Sequence, residues 1–420
     1  MSDKGKAQLV PKRRFPEFRG AAPWKPTSLG DASTPVTERV GERKLTPVSI
    51  SAGIGFVPQA EKFGRDISGN QYQLYTLVRD GDFVYNKGNS LKFPEGCVYL
   101  LQGWGQVAAP NVFICFRLKN GYSNGFFQNC FEANAHGKKL KRHITSGARS
   151  NGLLNISKDA FFGVEIPTPT WAEQQKIADC LRPLDELIAA LARKVDALKT
   201  HKKGLMQQLF PREGETQPRL RFPEFNNAGE WTPKTIGQLG EVVTGSTPST
   251  VKPEYYGGDR HFVSPADISD SRFIDKTKTT LTELGFLVTR PLKANSILFV
   301  CIGSTIGKIA QNRQECATNQ QINAVMPNSE NFEGFVYYAL SGIADKIANI
   351  AGRQAVPIVN KSLFSSVQLI VPKLPEQKYI ANFLSTLDET IFAEGQQLET
   401  LKIHKKGLMQ QLFPSMEEAI

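Results

Sequence analysis

His201-Lys202-Lys203-Gly204-Leu205-Met206-Gln207-Gln208-Leu209-Phe210-Pro211 recurs without a change from His404 to Pro414, 203 residues later. Eleven identical residues within one chain of 420 mark a duplicated structural unit. The same offset carries Glu173-Gln174 onto Glu376-Gln377 and Leu184-Asp185-Glu186 onto Leu387-Asp388-Glu389. A second block, Arg14-Phe15-Pro16-Glu17-Phe18 followed by Trp24, returns as Arg221-Phe222-Pro223-Glu224-Phe225 followed by Trp231, offset by 207. The chain therefore reads as two tandem units, residues 1–211 and 212–420.

Each unit has a short lead, a globular stretch and a closing helix. The stretches between the repeated flanks differ almost everywhere, so one scaffold carries two unlike heads. The expected domains are a lead at 1–25, a first head at 26–166, a central helix with the second lead at 167–232, a second head at 233–369 and a closing helix at 370–420.

The closing segments have the apolar spacing of paired helices. Ile177, Leu181, Leu184, Ile188, Leu191, Val195, Leu198, Leu205 and Leu209 step by fours and threes, interrupted at Lys202. Ile380, Leu384, Leu387, Ile391, Leu398, Leu401, Leu408 and Leu412 repeat the pattern, with Glu394 and Lys405 as polar gaps. Pro183 is expected to kink the first helix or to open a new one near Asp185. Two matched seams predict pairing with each other, and chain connectivity makes that pairing antiparallel with a pseudo-twofold axis. Asp185 to Phe210 is 26 residues, roughly 39 Å at about 1.5 Å per residue. That is near one turn of B-DNA, roughly 34 Å, and a spacer of this length suits two recognition patches on one DNA face.

Composition removes several classes. Hydrophobic residues at 40% and charged residues at 22% are globular values. No apolar run is long enough to cross a bilayer, the longest lying around Ile297 to Ile302, and the N-terminus lacks an apolar signal core; a cytoplasmic protein is expected. Six scattered cysteines form no CxxC pair, so no structural zinc site is expected. Histidines 136, 143, 201, 261 and 404 show no ligand spacing. Gly303-Ser304-Thr305-Ile306-Gly307-Lys308 is one residue short of a phosphate loop, with Ile309 where a metal-binding hydroxyl belongs. No catalytic constellation, metal site or cofactor site is expected in this chain.

The net charge of +11 favours a polyanionic partner. Residues 1–211 hold 30 Lys and Arg against 18 Asp and Glu, whereas 212–420 hold 21 against 22. The densest basic cluster is Lys138, Lys139, Lys141 and Arg142, followed by Arg149. These, with Lys87, are candidates for phosphate contact in the first head. In the second head Ser246, Thr247, Tyr255, Tyr256, Lys308, Asn319, Gln320, Arg353 and Gln354 are the candidates, because Asn, Gln and Arg read base edges through paired hydrogen bonds.

These repeats resemble the specificity subunit of type I restriction-modification systems. The resemblance rests on the doubled Glu-Gln…Leu-Asp-Glu segment leading into HKKGLMQQLFP and on the doubled RFPEF…W lead. It also rests on Gly245-Ser246-Thr247-Pro248, Tyr255-Tyr256-Gly257-Gly258-Asp259, Ser264-Pro265-Ala266-Asp267-Ile268 and Asn319-Gln320 in the second head. The first head matches through Gly81-Asp82-Phe83-Val84-Tyr85-Asn86-Lys87 and Gly147-Ala148-Arg149. It implies an α+β fold: two mixed α/β target-recognition domains separated by two long antiparallel coiled-coil helices. It further implies a non-catalytic chain that reads one half of a split, asymmetric duplex DNA target with each head. Two modification subunits carrying S-adenosylmethionine, and restriction subunits using ATP and Mg2+, are the implied partners. Leu184, Ile188, Leu191, Val195, Leu198, Leu205, Leu387, Ile391, Leu398, Leu401 and Leu408 then become candidates for helix pairing and subunit docking. The competing reading is a protein-binding adaptor with two heads on a helical spacer, which the near-neutral second half leaves open.

Overall fold

The computed structural model describes residues 9–88, 93–144, 154–350 and 357–414. The chain divides into two compact units, one made of residues 1–192 with 396–420, the other of residues 193–395. Each is completed by a helix segment from the other half of the sequence.

In the first unit, two four-stranded sheets build the head. One orders Ser33–Pro35, Ile114–Leu118, Asp82–Asn86 and Cys97–Leu100, all antiparallel. The other orders Gly55–Pro58, Thr46–Ser51, Gln106–Ala109 and Thr76–Arg79, with the central pair parallel. Phe83, Val84 and Tyr85 are all fully buried, so this strand is covered on both faces rather than alternating. Phe83 and Tyr85 pack with Phe116, Phe131 and Phe161. Burial of each such ring contributes about 1.5–3 kcal/mol.

The head of the second unit is a five-stranded sheet, ordered Gly240–Thr244, Ile322–Pro327, Ile297–Val300, Ile309–Asn312 and Phe273–Ile274. A three-stranded sheet of Thr279–Leu281, Tyr256–Val263 and Cys316–Thr318 joins it. Ile297–Val300, the longest apolar run, is buried throughout. The Gly303–Lys308 segment is the turn between two antiparallel strands, with Gly303 and Gly307 at positive φ (94° and 93°). A phosphate loop would instead join a strand to a helix.

The repeated flanks form the same frame in both units. Lys25–Ser28 pairs with Glu165–Thr168 in one, and Thr232–Thr235 with Gln368–Val371 in the other, both antiparallel. Arg14 then clamps Glu173 through Nε (2.7 Å) and Nη2 (2.6 Å), while the Trp24 indole donates to the same carboxylate at 3.2 Å. Arg221 clamps Glu376 at 2.8 and 2.7 Å, and Trp231 donates at 3.2 Å. The adjoining glutamines cap a loop each: Gln174 accepts from the Ser123 amide (2.9 Å) and Gln377 from the Phe332 amide (2.8 Å). That is the physical content of the repeated Glu-Gln pair.

Two helices of 39 residues, Trp171–Leu209 and Leu374–Leu412, follow the frames. Pro183 lies inside the first without ending it, so no new helix opens near Asp185. The proline is exposed, so the carbonyl it cannot pair is left on the solvent side. Ile177, Leu181, Leu191, Val195 and Leu209 are buried on one stripe, with Leu184, Ile188 and Leu198 half-buried between them. On the second helix Ile380, Leu384, Leu398 and Leu412 are buried, with Leu387, Ile391 and Leu401 half-buried. Within the second unit the helix segments run antiparallel: Lys194 meets Glu394 and Lys202 meets Asp388, both at 2.5 Å.

The helix ends close the cores of the heads. Phe413 packs on Trp24 and Phe126 (ring centroids 6.1 and 5.5 Å), with Met409 and Leu412 in the same core. In the other unit Phe210 packs on Trp231 and Phe335 at 6.4 and 5.4 Å, with Leu209 beside them. Leu205 and Leu408 face these head cores. The eleven-residue repeat is the plug that completes a head.

Candidate nucleic-acid interface

The second head gathers several of the candidate residues at one place. Strand Gly240–Thr244 ends at Gly245, whose amide donates to Ile322 O (3.1 Å) while that of Ser246 donates to Thr318 O (2.9 Å). A Cβ on Gly245 would stand 2.2 Å from Asn319 O, so only glycine lets these two loops touch. Thr247 Oγ1 donates to Gln320 Oε1 at 2.6 Å, and Asn319 Nδ2 donates to Gln321 Oε1 at 3.0 Å. Tyr256 OH donates to Pro248 O at 2.7 Å, tying the loop back to the next strand. Lys252 donates to Tyr255 OH (3.2 Å), which holds its ammonium pKa above the ordinary value.

Thr247, Tyr256, Asn319 and Gln320 thus form one connected polar surface, with Tyr255 at its edge and the Ser246 hydroxyl buried beside it. Thr247 and Gln320 are exposed; beyond the bond that joins them, Thr247 Oγ1 can still accept, and Gln320 keeps its two amide N–H donors and an acceptor lone pair. Ser246 Oγ and Thr318 Oγ1 are buried without a partner among the described residues. Lys308 stands apart, on the hairpin turn, with Nζ donating to Ile268 O at 3.2 Å. Arg353 and Gln354 lie outside the described residues, as does Gly352.

In the first head the candidates are on a helix and a strand end. Lys138 and Lys139 belong to Ala135–Leu140, and Lys141 and Arg142 to the following 3-10 turn Lys141–His143. Leu140 and His136 anchor that helix in the core, which turns Lys138, Lys141 and Arg142 outward. Lys87 follows strand Asp82–Asn86, its carbonyl accepting from the Leu154 amide at 2.9 Å. Gly147, Ala148 and Arg149 lie outside the described residues.

The polar interruptions of the helix seams are all ion-paired. Besides Lys194–Glu394 and Lys202–Asp388, Lys405 meets Asp185 at 2.5 Å and also Glu132. Lys202 and Lys405 are the same position in the two repeats, and so are Asp388 and Asp185. Each repeat's lysine pairs with the other repeat's aspartate. This exchange was invisible in the periodicity, where these residues registered only as gaps.

Burial pushes the thiols of Cys115, Cys301 and Cys316 up to about 12, so they stay protonated and pack as apolar groups. Among the described residues, no cluster of His, Cys, Asp or Glu has metal-holding geometry, and no helix is long and apolar enough to cross a membrane.

Comparison with known proteins places this architecture. The family model described as type I restriction modification DNA specificity domain matches twice, over residues 79–200 and 228–402. The chain belongs to that family. Both matches run from head into long helix; the first begins at residue 79, after the Arg14–Ser28 lead, and the second at 228, after Arg221. The HindI specificity subunit of Haemophilus influenzae is 30% identical over 171 residues, 38% of this chain and 37% of that protein. The putative MjaX specificity subunit of Methanocaldococcus jannaschii is 23% identical over 282 residues, 66% of this chain and 64% of the relative. The chain thus spans less than two thirds of the length of these curated relatives. An S subunit from M. genitalium aligns with a TM-score of 0.63 at 14% identity, over 97% of this chain and 100% of that one. A chain from a structure addressing assembly of a type I restriction-modification system gives 0.51 at 15% identity, over 93% and 98%. These two likenesses speak for the fold.

Proposed function

We propose that this chain is the DNA-reading subunit of a type I restriction-modification complex. Residues 26–166 and 233–369 each read one half of a split, asymmetric duplex target. The observation that carries this reading is two unlike heads on one duplicated frame within a DNA-specificity family. Identical heads would call for a palindrome; unlike ones call for two different half-sites. In the second head, Ser246, Thr247, Tyr255, Tyr256, Asn319 and Gln320 supply groups for base edges and backbone, with Lys308, Arg353 and Gln354 as further candidates. In the first, Lys87, Lys138, Lys139, Lys141, Arg142 and Arg149 supply phosphate contacts.

The chain contributes recognition and leaves chemistry to its partners. Two modification subunits with S-adenosylmethionine methylate adenine, and restriction subunits using ATP and Mg2+ translocate and cleave, in the cytoplasm. The seam leucines and their exposed neighbours Leu187, Phe383 and Phe392 offer the helix surface for docking.

The test is a methylome. The chain is co-expressed with its modification subunit, and methylated adenines are mapped by long-read sequencing. A split motif with two unlike halves is expected. A stable complex that binds DNA yet writes no new methylation would refute the proposal and leave the adaptor reading in its place.

A further inference from the structure

Beside strand Gly240–Thr244, which delivers the Gly245–Pro248 loop, lies a groove of about 510 Å³. Arg290, Lys293 and Lys361 line it, with Glu241 as the one acid on its wall. Arg290 Nη1 donates to Thr244 O at 2.8 Å, which fixes the guanidinium one residue away from the loop that carries Ser246 and Thr247. All three cations are exposed, and among the described residues none is within ion-pair distance of a carboxylate. Several other cations of this unit are ion-paired, Lys234 with Glu330, Arg260 with Glu283, Arg313 with Asp275 and Lys346 with Glu213, while others such as Lys276, Lys278 and Lys308 stand singly among the described residues, outside this groove. A half-chain with 21 basic and 22 acidic residues therefore still concentrates three unneutralised cations in one concavity.

We propose that this groove seats the phosphate backbone of the DNA strand whose bases face the Thr247–Gln320 cluster. Arg290, Lys293 and Lys361 then position the duplex, and the adjoining hydroxyl and amide groups read it. The division follows from chemistry. Unpaired cations bind phosphate without regard to sequence, whereas amides and hydroxyls held at fixed angles discriminate donor and acceptor patterns. The inference rests on the DNA-reading function proposed above and assigns phosphate contacts that the charge balance of the second half conceals.

The experiment uses the full-length chain in complex with its modification subunits. Binding to a labelled mixed-sequence duplex is followed over a salt series for wild type, for Arg290→Ala with Lys293→Ala and Lys361→Ala, and for the charge-preserving Lys293→Arg with Lys361→Arg. Loss of three phosphate contacts lowers the slope of log affinity against log salt by roughly 2.7, at about 0.9 per contact. The arginine variant keeps the wild-type slope. A triple variant that unfolds at the wild-type temperature and keeps the wild-type slope overturns the groove while the DNA reading stands. A wild-type complex with no salt-sensitive duplex affinity overturns both. Should the triple variant not fold, the single changes Lys293→Ala and Lys361→Ala each lower the slope by about 0.9, and an unchanged slope in both overturns the inference.

Discussion

Replacing Glu173 by alanine removes the centre of the frame that the repeated Arg and Trp residues build. The carboxylate is 1% exposed and the Arg14 side chain 7%. Without it, the guanidinium keeps only the carbonyls of Ala21 (2.6 Å) and Ala22 (3.0 Å), and the Trp24 indole loses its acceptor. Removing one member of a buried ion pair costs about 3–5 kcal/mol, because the other charge stays buried. An orphaned indole N–H adds about 1–3 kcal/mol. Both effects act on one carboxylate and are not additive, so about 4 kcal/mol is expected for Glu173→Ala. Glu173→Gln retains an acceptor but gives up the charge assistance, which makes hydrogen bonds roughly twice as strong, and should cost about half as much. The assay is urea unfolding of the full chain followed by tryptophan fluorescence, with a double-mutant cycle through Arg14→Ala. Coupling of about 2–3 kcal/mol is expected between Arg14 and Glu173. The second copy is a built-in replicate: Glu376→Ala with Arg221→Ala should give matching values. A cost below about 1 kcal/mol for both glutamates, or coupling below about 0.5, would show that the frame is a by-product of packing.

Three further expectations follow from the same geometry. Lys405→Ala should destabilise the first unit by about 2–3 kcal/mol, because a seam lysine at 5% exposure leaves Asp185 facing a gap, whereas Lys402→Ala, on an exposed pair, should fall below about 0.5; equal values in chemical unfolding would count against the seam. Gly245→Ala should abolish methylation of the target by forcing apart two loops whose backbones leave 2.2 Å for a side chain, and a methylome identical to wild type would contradict it. Burial lowers the His136 pKa to about 4, so the folded state holds it neutral while the unfolded chain protonates it near 6.5. The unfolded state then binds more protons as pH falls through that window, and stability drops between about pH 6.5 and 4. His136→Gln should flatten that part of the melting-temperature profile, and an unaltered profile would place the titration elsewhere.

The sequence carried the frame and the seams plainly, since both are written as repeats and periods within short windows. Of the two readings of Pro183, the new helix near Asp185 misled, because local propensity marks a break, whereas a helix held along its buried stripe continues through a solvent-facing proline. The heads were legible only as unlike globular stretches between the repeated flanks, their mixed α/β fold implied by the resemblance. Thr46–Ser51 pairs in parallel with Gln106–Ala109, and Tyr256–Val263 with Cys316–Thr318, pairings set by tertiary packing that no local pattern encodes. Thr247 and Gln320 were legible as residue types suited to base edges, though not as neighbours. Arg290, Lys293 and Lys361 escaped notice because net charge counts paired and unpaired cations alike.

The exchange of plugs has a consequence for synthesis on the ribosome. The first head holds Trp24 and Phe126 open until Phe413 has been made, although its own last strand, Glu165–Thr168, is finished 245 residues earlier. At about 5–20 residues per second that interval is roughly 12–50 s. The second unit, a continuous stretch from 193 to 395, is complete before the first. During the wait the nascent chain already displays Leu205, Met206, Leu209 and Phe210, the same letters in the same order as the plug still to come. Correct assembly therefore depends on the second head claiming that earlier copy for itself. Translation order and the speed of the second head's folding guard the first against closing on its twin's part.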